Sequence, residues 1–295
     1  MSSDPSPTVW TVRSLLTWTT KHFQSKGIDD PAKEARILLA HVLGCRPIDV
    51  LTRYDDQPTD AERQQYRDLI RRRLDGCPVA YLVGSKDFFL LTFEVTPAVL
   101  IPRPDTETLV QAGLAVLKGR PNPTVLDLGT GSGCVAVSLA HQVKAARVTA
   151  VDVSPQACEV ARRNAARHGV GERVTVVEGD LFAPLPADAR FDLVVSNPPY
   201  IPPAEIDALD AGVRNFEPRQ ALDGGPDGLT FYRRMAADAG RFLTPGGHLL
   251  VEVGWTQDAA VRELLTQAGW TVLDSVKDMG GRWRVVRARA GRPSQ

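Results

Sequence analysis

Cysteine is scarce in this sequence of 295 residues, and its four copies follow no metal-binding or redox pattern. Cys45, Cys77, Cys134 and Cys158 form no C-x-x-C pair, and no cysteine–histidine cluster has the spacing of metal ligands. The five histidines are also scattered singly. The sequence therefore predicts no metal site, and it predicts reduced thiols in a cytoplasmic protein.

Net charge and long apolar runs are absent as well. Lysine and arginine total 35, as do aspartate and glutamate, so the formal net charge is zero. Proteins that grip a nucleic-acid backbone usually carry a basic excess, so this balance lowers the expectation of a nucleic-acid partner without excluding one. No apolar run approaches the roughly 18 residues of a membrane helix. The start Met-Ser-Ser-Asp-Pro also lacks the apolar core of a signal peptide, and we expect no membrane association.

Residues 1–78 are predicted to form a helical domain. Apolar residues recur at helical spacing from Val9 to Phe23. Asp30-Pro31 has the form of an N-cap followed by proline at the first helical position, and that helix is expected to stop at Gly44. Thr59-Asp60-Ala61-Glu62 fits a capping box, which indicates the start of a third long helix.

The remaining sequence changes in character twice. Residues 79–103 are predicted to form a β-hairpin linker, with strands in Lys86–Val95 and a turn near Leu91-Thr92. Over residues 104–295, short apolar strands alternate with helices, which is typical of a doubly wound α/β sheet with mainly parallel strands. The predicted strands are Thr124–Leu128, Val148–Val151, Val174–Val177, Phe191–Val195, His248–Val253, Thr271–Leu273 and Trp283–Val286. Ligands of such sheets bind beyond the carboxyl ends of the strands.

The first of these strands runs into a glycine-rich loop, Gly129-Thr130-Gly131-Ser132-Gly133. Glycines allow a tight turn and a close approach to a ligand, and the following helix N-terminus attracts an anionic group. Cys134 stands where a dinucleotide-binding G-x-G-x-x-G pattern would be completed, so that match fails. The G-x-G-x-G spacing resembles the first motif of class I methyltransferases, which have a Rossmann-like sheet.

Acidic residues follow the next two strands. Asp152 lies 19 positions after Gly133, where an acid can accept both hydroxyls of a ribose. Asp180, Leu181 and Phe182 follow the third strand, where an acid and apolar side chains usually line an adenine. Taken singly, the loop could be a structural turn and Asp152 a helix cap. Their occurrence together in one βαβ unit predicts a nucleoside-type cofactor.

The fourth strand ends in Asn197-Pro198-Pro199-Tyr200. Such a segment can hold an NH2 group that is attached to a π system. The lone pair of this kind of nitrogen is delocalised, which makes it a poor nucleophile, so a site must bind its N–H groups and direct the nitrogen at the methyl donor. Asn197 offers a side-chain carbonyl, Pro198 a constrained backbone carbonyl, and Tyr200 a flat face. Such alignment can supply up to about 7–11 kcal/mol of the barrier. Asn-Pro alone could be a turn, but its place beside the cofactor loop favours methylation of a planar NH2 nitrogen.

Five sequence segments, in this order, resemble the HemK/PrmC family of glutamine methyltransferases. They are Leu100–Glu107, Asp127–Gly133, Asn197–Tyr200, Glu217–Leu222 and Gly225–Leu229, with the N-terminal helical domain and hairpin in the same arrangement. The resemblance implies methyl transfer from S-adenosylmethionine to the glutamine side-chain nitrogen in the Gly-Gly-Gln motif of class I peptide-chain release factors.

The same resemblance implies a role for each site residue. Gly129–Gly133 would hold the methionine part of the cofactor, Asp152 the ribose, and Leu181 the adenine, with Asp180 and Phe182 nearby. Asn197, Pro198, Pro199 and Tyr200 would hold the substrate amide, and Asn197 would also border the cofactor. The helical domain would dock the release factor, and we expect a monomer with no direct nucleic-acid partner.

Several alternatives stay open at this point. A DNA or RNA adenine N6 methyltransferase uses the same four residues, and a ribosomal-protein glutamine methyltransferase would differ only in its docking domain. Arg63, Arg67 and Arg71-Arg72-Arg73 could contact the release factor or form an ordinary solvated helix face. The stretch Ile201–Asp227 has few regular signals, and long loops of this kind are usually functional. We hypothesise that it helps to form the channel for the substrate glutamine.

Overall fold

The computed structural model describes residues 10–290, which divide into two compact units that meet between Gly84 and Ser85. From the sequence, residues 79–103 were predicted to form a separate linker. In the structure, the short helix Val79–Val83 belongs to the first unit, and the hairpin belongs to the second. The hairpin joins the second unit because Phe88 and Phe93 are buried in the main core of that unit.

The first unit is helical, as the sequence predicted. Its helices are α1 (Val12–Ser25), α2 (Pro31–Val42), α3 (Asp60–Leu74) and α4 (Val79–Val83). The predicted capping box is confirmed, because Thr59 accepts a hydrogen bond from the Glu62 amide and the Glu62 carboxylate accepts one from the Thr59 amide. Asp30 is the N-cap of α2, although its side chain makes no capping hydrogen bond. The five-residue α4 was not predicted because it is too short for helical periodicity.

The hairpin consists of β1 (Ser85–Phe88) and β2 (Leu91–Glu94), paired antiparallel. The prediction of a turn near Leu91-Thr92 is wrong, because the chain turns at Phe89 and Leu90. These two residues have positive φ angles of 47° and 65°. Such turns normally carry Asn-Gly or Asp-Gly, and neither pair occurs here to predict the turn. The Glu107 carboxylate helps to stabilise this unfavourable turn, because it accepts a hydrogen bond from the Phe89 amide at 3.0 Å.

The rest of the second unit is a seven-stranded sheet with the order β5-β4-β3-β6-β7-β9-β8 over the described residues. Its strands are β3 (Thr124–Leu128), β4 (Arg147–Asp152), β5 (Val174–Glu178), β6 (Phe191–Ser196), β7 (Leu243–Glu252), β8 (Thr271–Lys277) and β9 (Trp283–Arg289). Strands β3 to β7 pair in parallel, and β9 is antiparallel to both of its neighbours. The predicted doubly wound, mainly parallel sheet is confirmed.

Seven α-helices occur among the described residues of the second unit. They are α5 (Glu107–Leu117), α6 (Cys134–Gln142), α7 (Pro155–Arg167), α8 (Pro203–Ile206), α9 (Ala211–Phe216), α10 (Thr230–Asp238) and α11 (Asp258–Gln267). One apolar cluster joins the hairpin, α5 and α6 to the sheet, and a second joins α10 and α11 to it. The central strands are therefore apolar on both sides, which is the pattern of parallel strands buried between helices.

The stretch Ile201–Asp227 is more regular than the sequence indicated. It contains α8, α9 and a 3-10 turn over Arg219–Ala221, and its two ends are joined by a bridge between Ile201 and Asp223. Helices of four and six residues are too short to leave a periodic pattern, which explains why none was predicted.

Candidate active site

The carboxyl ends of β3, β4, β5 and β6 border one cavity, which encloses about 1130 Å³ of empty space including its open mouth. This is the edge at which doubly wound sheets bind their ligands. Ten of the predicted site residues line it: Gly129, Thr130, Gly131, Ser132, Asp152, Asp180, Leu181, Asn197, Pro198 and Pro199. Among the described residues that line the cavity, the predicted Gly133, Phe182 and Tyr200 do not occur.

The glycine loop is shaped by its three glycines, which all have positive φ angles. A Cβ atom on Gly131 would meet no atom within 4 Å, so this glycine serves the backbone turn. Gly133 is different, because a Cβ atom there would lie 3.2 Å from the Cα of Ala161 on α7. Gly133 therefore acts behind the cavity, where it lets the start of α6 pack closely against α7.

Two carboxylates hold the loop in place, Asp127 fully buried and Asp152 partly buried. Asp127 accepts hydrogen bonds from the Thr130 hydroxyl at 2.7 Å and from the Ala136 amide at 3.2 Å. Burial raises the pKa of Asp127 to about 6. Asp152 accepts hydrogen bonds from the amides of Gly131 at 2.8 Å and Ser154 at 2.9 Å, and burial raises its pKa too. A carboxylate has about four acceptor positions, so Asp152 retains capacity for two ligand hydroxyls.

Asn164 on α7 is a supporting residue that the sequence reading missed. It is fully buried, and its amide donates to the carbonyls of Ser132 at 2.8 Å and Glu94 at 3.0 Å. Its own carbonyl accepts from the Glu94 amide at 2.8 Å. Asn164 thereby ties the glycine loop to the end of the hairpin. A polar residue on the apolar face of a helix was the signal that could have revealed it.

The residues after β5 divide between the cavity and the core. Leu181 lines the cavity and has a positive φ of 49°, a conformation that is unfavourable for a leucine. Asp180 is exposed at the rim and pairs with Arg234 at 2.8 Å. Phe182 instead stacks on Phe242 with ring centroids 5.1 Å apart and belongs to the second apolar cluster. The structure thus places Leu181 and Asp180, but not Phe182, where a ligand could touch them.

The segment after β6 brings Asn197, Pro198 and Pro199 to the same cavity. The Asn197 amide donates to the Thr106 hydroxyl at 3.1 Å. Tyr200 lies behind them, partly buried against the second apolar cluster, and its backbone carbonyl accepts a hydrogen bond from Gln257 at 2.9 Å. Burial raises the pKa of Tyr200 to about 12, so its hydroxyl stays protonated near neutral pH.

The stretch Ile201–Asp227 contributes to the cavity through Pro218, Gln220 and Ala221. Glu217, only 6% exposed, fixes this stretch to the segment before α5. Its carboxylate accepts hydrogen bonds from the Ile101 amide at 3.3 Å and the Arg103 guanidinium at 2.5 Å.

Glu252, at the end of β7, is a buried residue that was not predicted from the sequence. It is 1% exposed, and one of its oxygens has no hydrogen-bond partner among the described residues. Burial raises its pKa to about 7, while a hydrogen bond from Thr106 and the charge of Arg284 favour the ionised form. An acid that ends a central strand at the ligand-binding edge was a signal that could have revealed it.

The cavity suits a nucleoside with a short charged tail. The Asp152 carboxylate supplies hydrogen-bond acceptors, and the glycine loop lets a ligand approach the backbone closely. The apolar walls of the cavity are formed by Val99, Val153 and Leu181. Within residues 10–290, no cluster of three or more metal-ligating side chains occurs. None of the helices in this range is long and apolar enough to cross a membrane.

Comparisons with known proteins agree with this geometry. A family model described as the PrmC N-terminal domain matches residues 14–84, and one described as a methyltransferase domain matches residues 125–217. A release factor glutamine methyltransferase of Rhodopirellula baltica is 42% identical over 291 residues, which is 97% of this chain and 98% of the relative. One of Geobacter sulfurreducens is 44% identical over 285 residues, which is 97% of this chain and 99% of the relative.

A solved structure of a methyltransferase from Pyrococcus furiosus has a TM-score of 0.50 to this chain at 22% identity, and covers 78% of this chain and 99% of its own. At that identity the likeness shows the fold alone. The fold and the sequence relatives together connect the cavity to methyl transfer.

Proposed function

The chain belongs to the release factor glutamine methyltransferase family, and from that membership we propose that the cavity transfers a methyl group to the side-chain nitrogen of a release factor glutamine. The chain is an S-adenosylmethionine-dependent methyltransferase. The proposal rests above all on one observation. Asn197 and Pro198 line the same cavity as Asp152 and the glycine loop, so an amide held by the former lies beside a nucleoside held by the latter.

The cofactor-binding residues follow from the hydrogen bonds of the site. Asp152 would accept the ribose hydroxyls, the backbone of Gly129–Gly131 would border the methionine part, and Leu181 would pack on the adenine. When bound, S-adenosylmethionine supplies an electrophilic methyl group together with its own leaving group. The protein must place the weak nucleophile, and the glutamine nitrogen gives up one of its two protons to solvent as the new C–N bond forms and the bond from sulfur to the methyl carbon breaks.

The substrate-binding residues supply that placement. The side-chain carbonyl of Asn197 and the backbone carbonyl of Pro198 would accept hydrogen bonds from the two N–H groups of the glutamine amide. Two acceptors fix the direction of the nitrogen lone pair and hold the nitrogen in line with the methyl group. Pro199 limits the backbone freedom of the segment. Tyr200 would act by supporting the segment from behind, through packing and its Gln257 hydrogen bond.

The partner is proposed to be a class I peptide-chain release factor carrying the Gly-Gly-Gln motif, methylated in the cytoplasm by a monomeric enzyme. Docking by the helical unit stays a prediction. Two arginines of α3 have partners within that unit: Arg63 bonds Asp60 and the Pro58 carbonyl, and Arg73 pairs with Glu34 at 2.6 Å. These pairs support the reading of an ordinary helix face for Arg63 and Arg73.

One variant, examined in two assays, tests the assignment of the site. Replacing Asn197 with alanine should lower methyl transfer to a release factor by about 100-fold or more, because the amide loses one of its two acceptors in a desolvated site. Binding of S-adenosylmethionine, measured by calorimetry, should change by less than about threefold. Transfer at the rate of the unmodified protein would contradict the assignment, and so would loss of transfer that only follows loss of cofactor binding.

A further inference from the structure

Three large apolar side chains are exposed at the edge of the sheet where the cavity lies. Trp255 follows β7, Met279 lies in the turn between β8 and β9, and Trp283 begins β9. Their exposed fractions are 61%, 101% and 41%. The three positions meet at one edge because β9 is antiparallel to both β7 and β8. We call these three residues, together with Lys277 and Arg282, the rim patch.

Two cations lie over the tryptophan rings of the rim patch. The Lys277 ammonium is 4.5 Å from the centroid of the Trp283 ring, and the Arg282 guanidinium is 5.5 Å from the centroid of the Trp255 ring. Such cation–π contacts orient the rings and leave the charges at the surface. Neither cation forms an ion pair with a carboxylate within residues 10–290. The rim patch therefore offers apolar surface and two available positive charges side by side.

The turn that carries part of the rim patch is held by its own hydrogen bonds. The Asp278 amide donates to the Arg282 carbonyl at 2.9 Å, and the Gly281 amide donates to the Asp278 carbonyl at 3.0 Å. The Asp278 carboxylate accepts from the Arg282 amide at 3.0 Å and pairs with the buried Arg284 at 3.1 Å. A surface that is already ordered loses little conformational entropy when a partner binds, so this turn is suited to binding.

Two contacts join the rim patch to the walls of the cavity. Arg284, the second residue of β9, also pairs at 2.9 Å with Asp105, which lies between residues that line the cavity. Gln257, two residues after Trp255, donates to the Tyr200 carbonyl at 2.9 Å. Tyr200 directly follows the asparagine and prolines that are assigned to the substrate amide. The rim patch thus borders the part of the cavity that is proposed to receive the glutamine.

The substrate assigned to this cavity is a protein, which decides what can cover the rim patch. A glutamine side chain is short, so its nitrogen reaches Asn197 only if the backbone of the Gly-Gly-Gln loop comes to the mouth of the cavity. The substrate surface beside that loop then lies against the rim. Tryptophan, methionine and arginine are enriched in protein interfaces. A nucleic acid fits less well, because the chain has no formal net charge and the rim patch has only two cations.

We propose that the rim patch is a docking surface for the release factor, which binds it through the protein surface beside the Gly-Gly-Gln motif. Apolar side chains of the release factor pack on the two tryptophans and Met279, and its carboxylate or carbonyl oxygens accept hydrogen bonds from Lys277 and Arg282. The inference rests on the proposed function, because it needs the release factor to be the substrate. It places a docking contact in the second unit, in addition to the one predicted for the helical unit.

Alanine at each tryptophan tests this proposal. Trp255→Ala and Trp283→Ala should each raise the Kd for an intact class I release factor by about 10-fold or more, the usual effect of truncating a central interface tryptophan. Calorimetry on the protein saturated with S-adenosylhomocysteine measures this Kd without turnover. The KM for the release factor should rise in parallel. Both kcat and the KM for S-adenosylmethionine should stay within about twofold, because the groups that hold the reactants are unchanged.

Two further variants separate docking from general damage. Arg282→Glu changes only an exposed side chain and should raise the Kd for the release factor by about fivefold or more, because it reverses a charge in the rim patch. Leu273→Ala is the matched control. Leu273 is 39% exposed on β8, towards the end of the strand opposite to the turn, and its variant should leave the Kd unchanged. Circular dichroism verifies that each variant is folded.

The outcomes distinguish the docking surface from the proposed function. A raised Kd in the two tryptophan variants and in Arg282→Glu, with kcat retained, supports the docking surface. An unchanged Kd in any of these three variants overturns it when the unmodified protein methylates the release factor, and so does an equal rise for Leu273→Ala. Failure of the unmodified protein to methylate any class I release factor overturns the proposed function itself.

Other occupants of the rim patch are detected in parallel. Binding of single-stranded RNA in a gel-shift assay, or self-association in sedimentation, is compared between the unmodified protein and the tryptophan variants. If the variants weaken either of these while the Kd for the release factor stays unchanged, the rim patch binds a nucleic acid or a second copy of the chain, and the inference is overturned.

Discussion

Replacing Glu252 with glutamine should stabilise the protein at alkaline pH. The carboxyl is buried and one of its oxygens has no hydrogen-bond partner in the described part of the chain, so its charged form is costly in the folded state. Glutamine fills the same volume without a charge. A rise in stability is the reverse of what loss of a structural contact would give.

The pKa of Glu252 sets the magnitude and the pH range. Burial raises this pKa from its ordinary value of 4.5 to about 7, and each tenfold change in an equilibrium is about 1.4 kcal/mol. A raised carboxyl pKa means that the folded state holds the proton more tightly, so the contribution to stability is favourable at acid pH and is lost as pH rises through 7. The variant should therefore gain up to about 3 kcal/mol near pH 8, and less than about 1 kcal/mol near pH 5.

Chemical denaturation at about pH 5 and pH 8, followed by circular dichroism, measures this gain. Glu217→Gln is the matched control, because its carboxylate is also buried but accepts from the Ile101 amide and the Arg103 guanidinium. Losing those charge-assisted bonds should lower the free energy of unfolding by about 1.5–3 kcal/mol. A free energy of unfolding for Glu252→Gln that is lower than, or equal to, that of the unmodified protein near pH 8 would refute the reasoning.

Three further predictions follow from the glycine loop and its supports. Asp152→Asn should weaken S-adenosylmethionine binding by about 10- to 100-fold in calorimetry, whereas Asp180→Asn at the exposed rim should change it by less than about threefold; equal effects would contradict the ribose assignment. Gly133→Ala should lower the free energy of unfolding by about 2–3 kcal/mol, because the alanine has an unfavourable positive φ and its Cβ also lies too close to Ala161. Gly131→Ala should lower it by only about 1 kcal/mol, because only the positive φ is unfavourable there. Asn164→Ala should lower the melting temperature, because the buried backbone groups of Ser132 and Glu94 lose their hydrogen-bond partner. An unchanged melting temperature would contradict the proposed support of the glycine loop by Asn164.

Much of the second unit could be predicted because its signals are local. Short apolar strands separated by helices specify a doubly wound sheet, and the topology then brings every strand end to one edge. The residues at those ends, from Gly129 to Pro199, meet in one cavity for that reason. A residue's position along the sequence was enough to place its backbone at the edge.

Side-chain direction could not be predicted in the same way. Phe182 and Tyr200 follow strand ends, yet both turn towards the second apolar cluster, where large aromatic surfaces are buried. The hairpin turn at Phe89 and Leu90 lacks the usual residues and depends on Glu107 from α5. Thr106 and Asn197 lie far apart in sequence, and only the folded chain brings the Thr106 hydroxyl within 3.1 Å of the Asn197 amide nitrogen.

The measurement that tests the central claim most directly uses labelled S-adenosylmethionine and three kinds of acceptor. These are an intact class I release factor, its variant with alanine in place of the Gly-Gly-Gln glutamine, and adenine-containing DNA and RNA. We expect label on the intact release factor alone, with mass spectrometry locating one methyl group on the glutamine side-chain nitrogen. Label on nucleic acid, or equal label on the alanine variant, would contradict the account of the substrate.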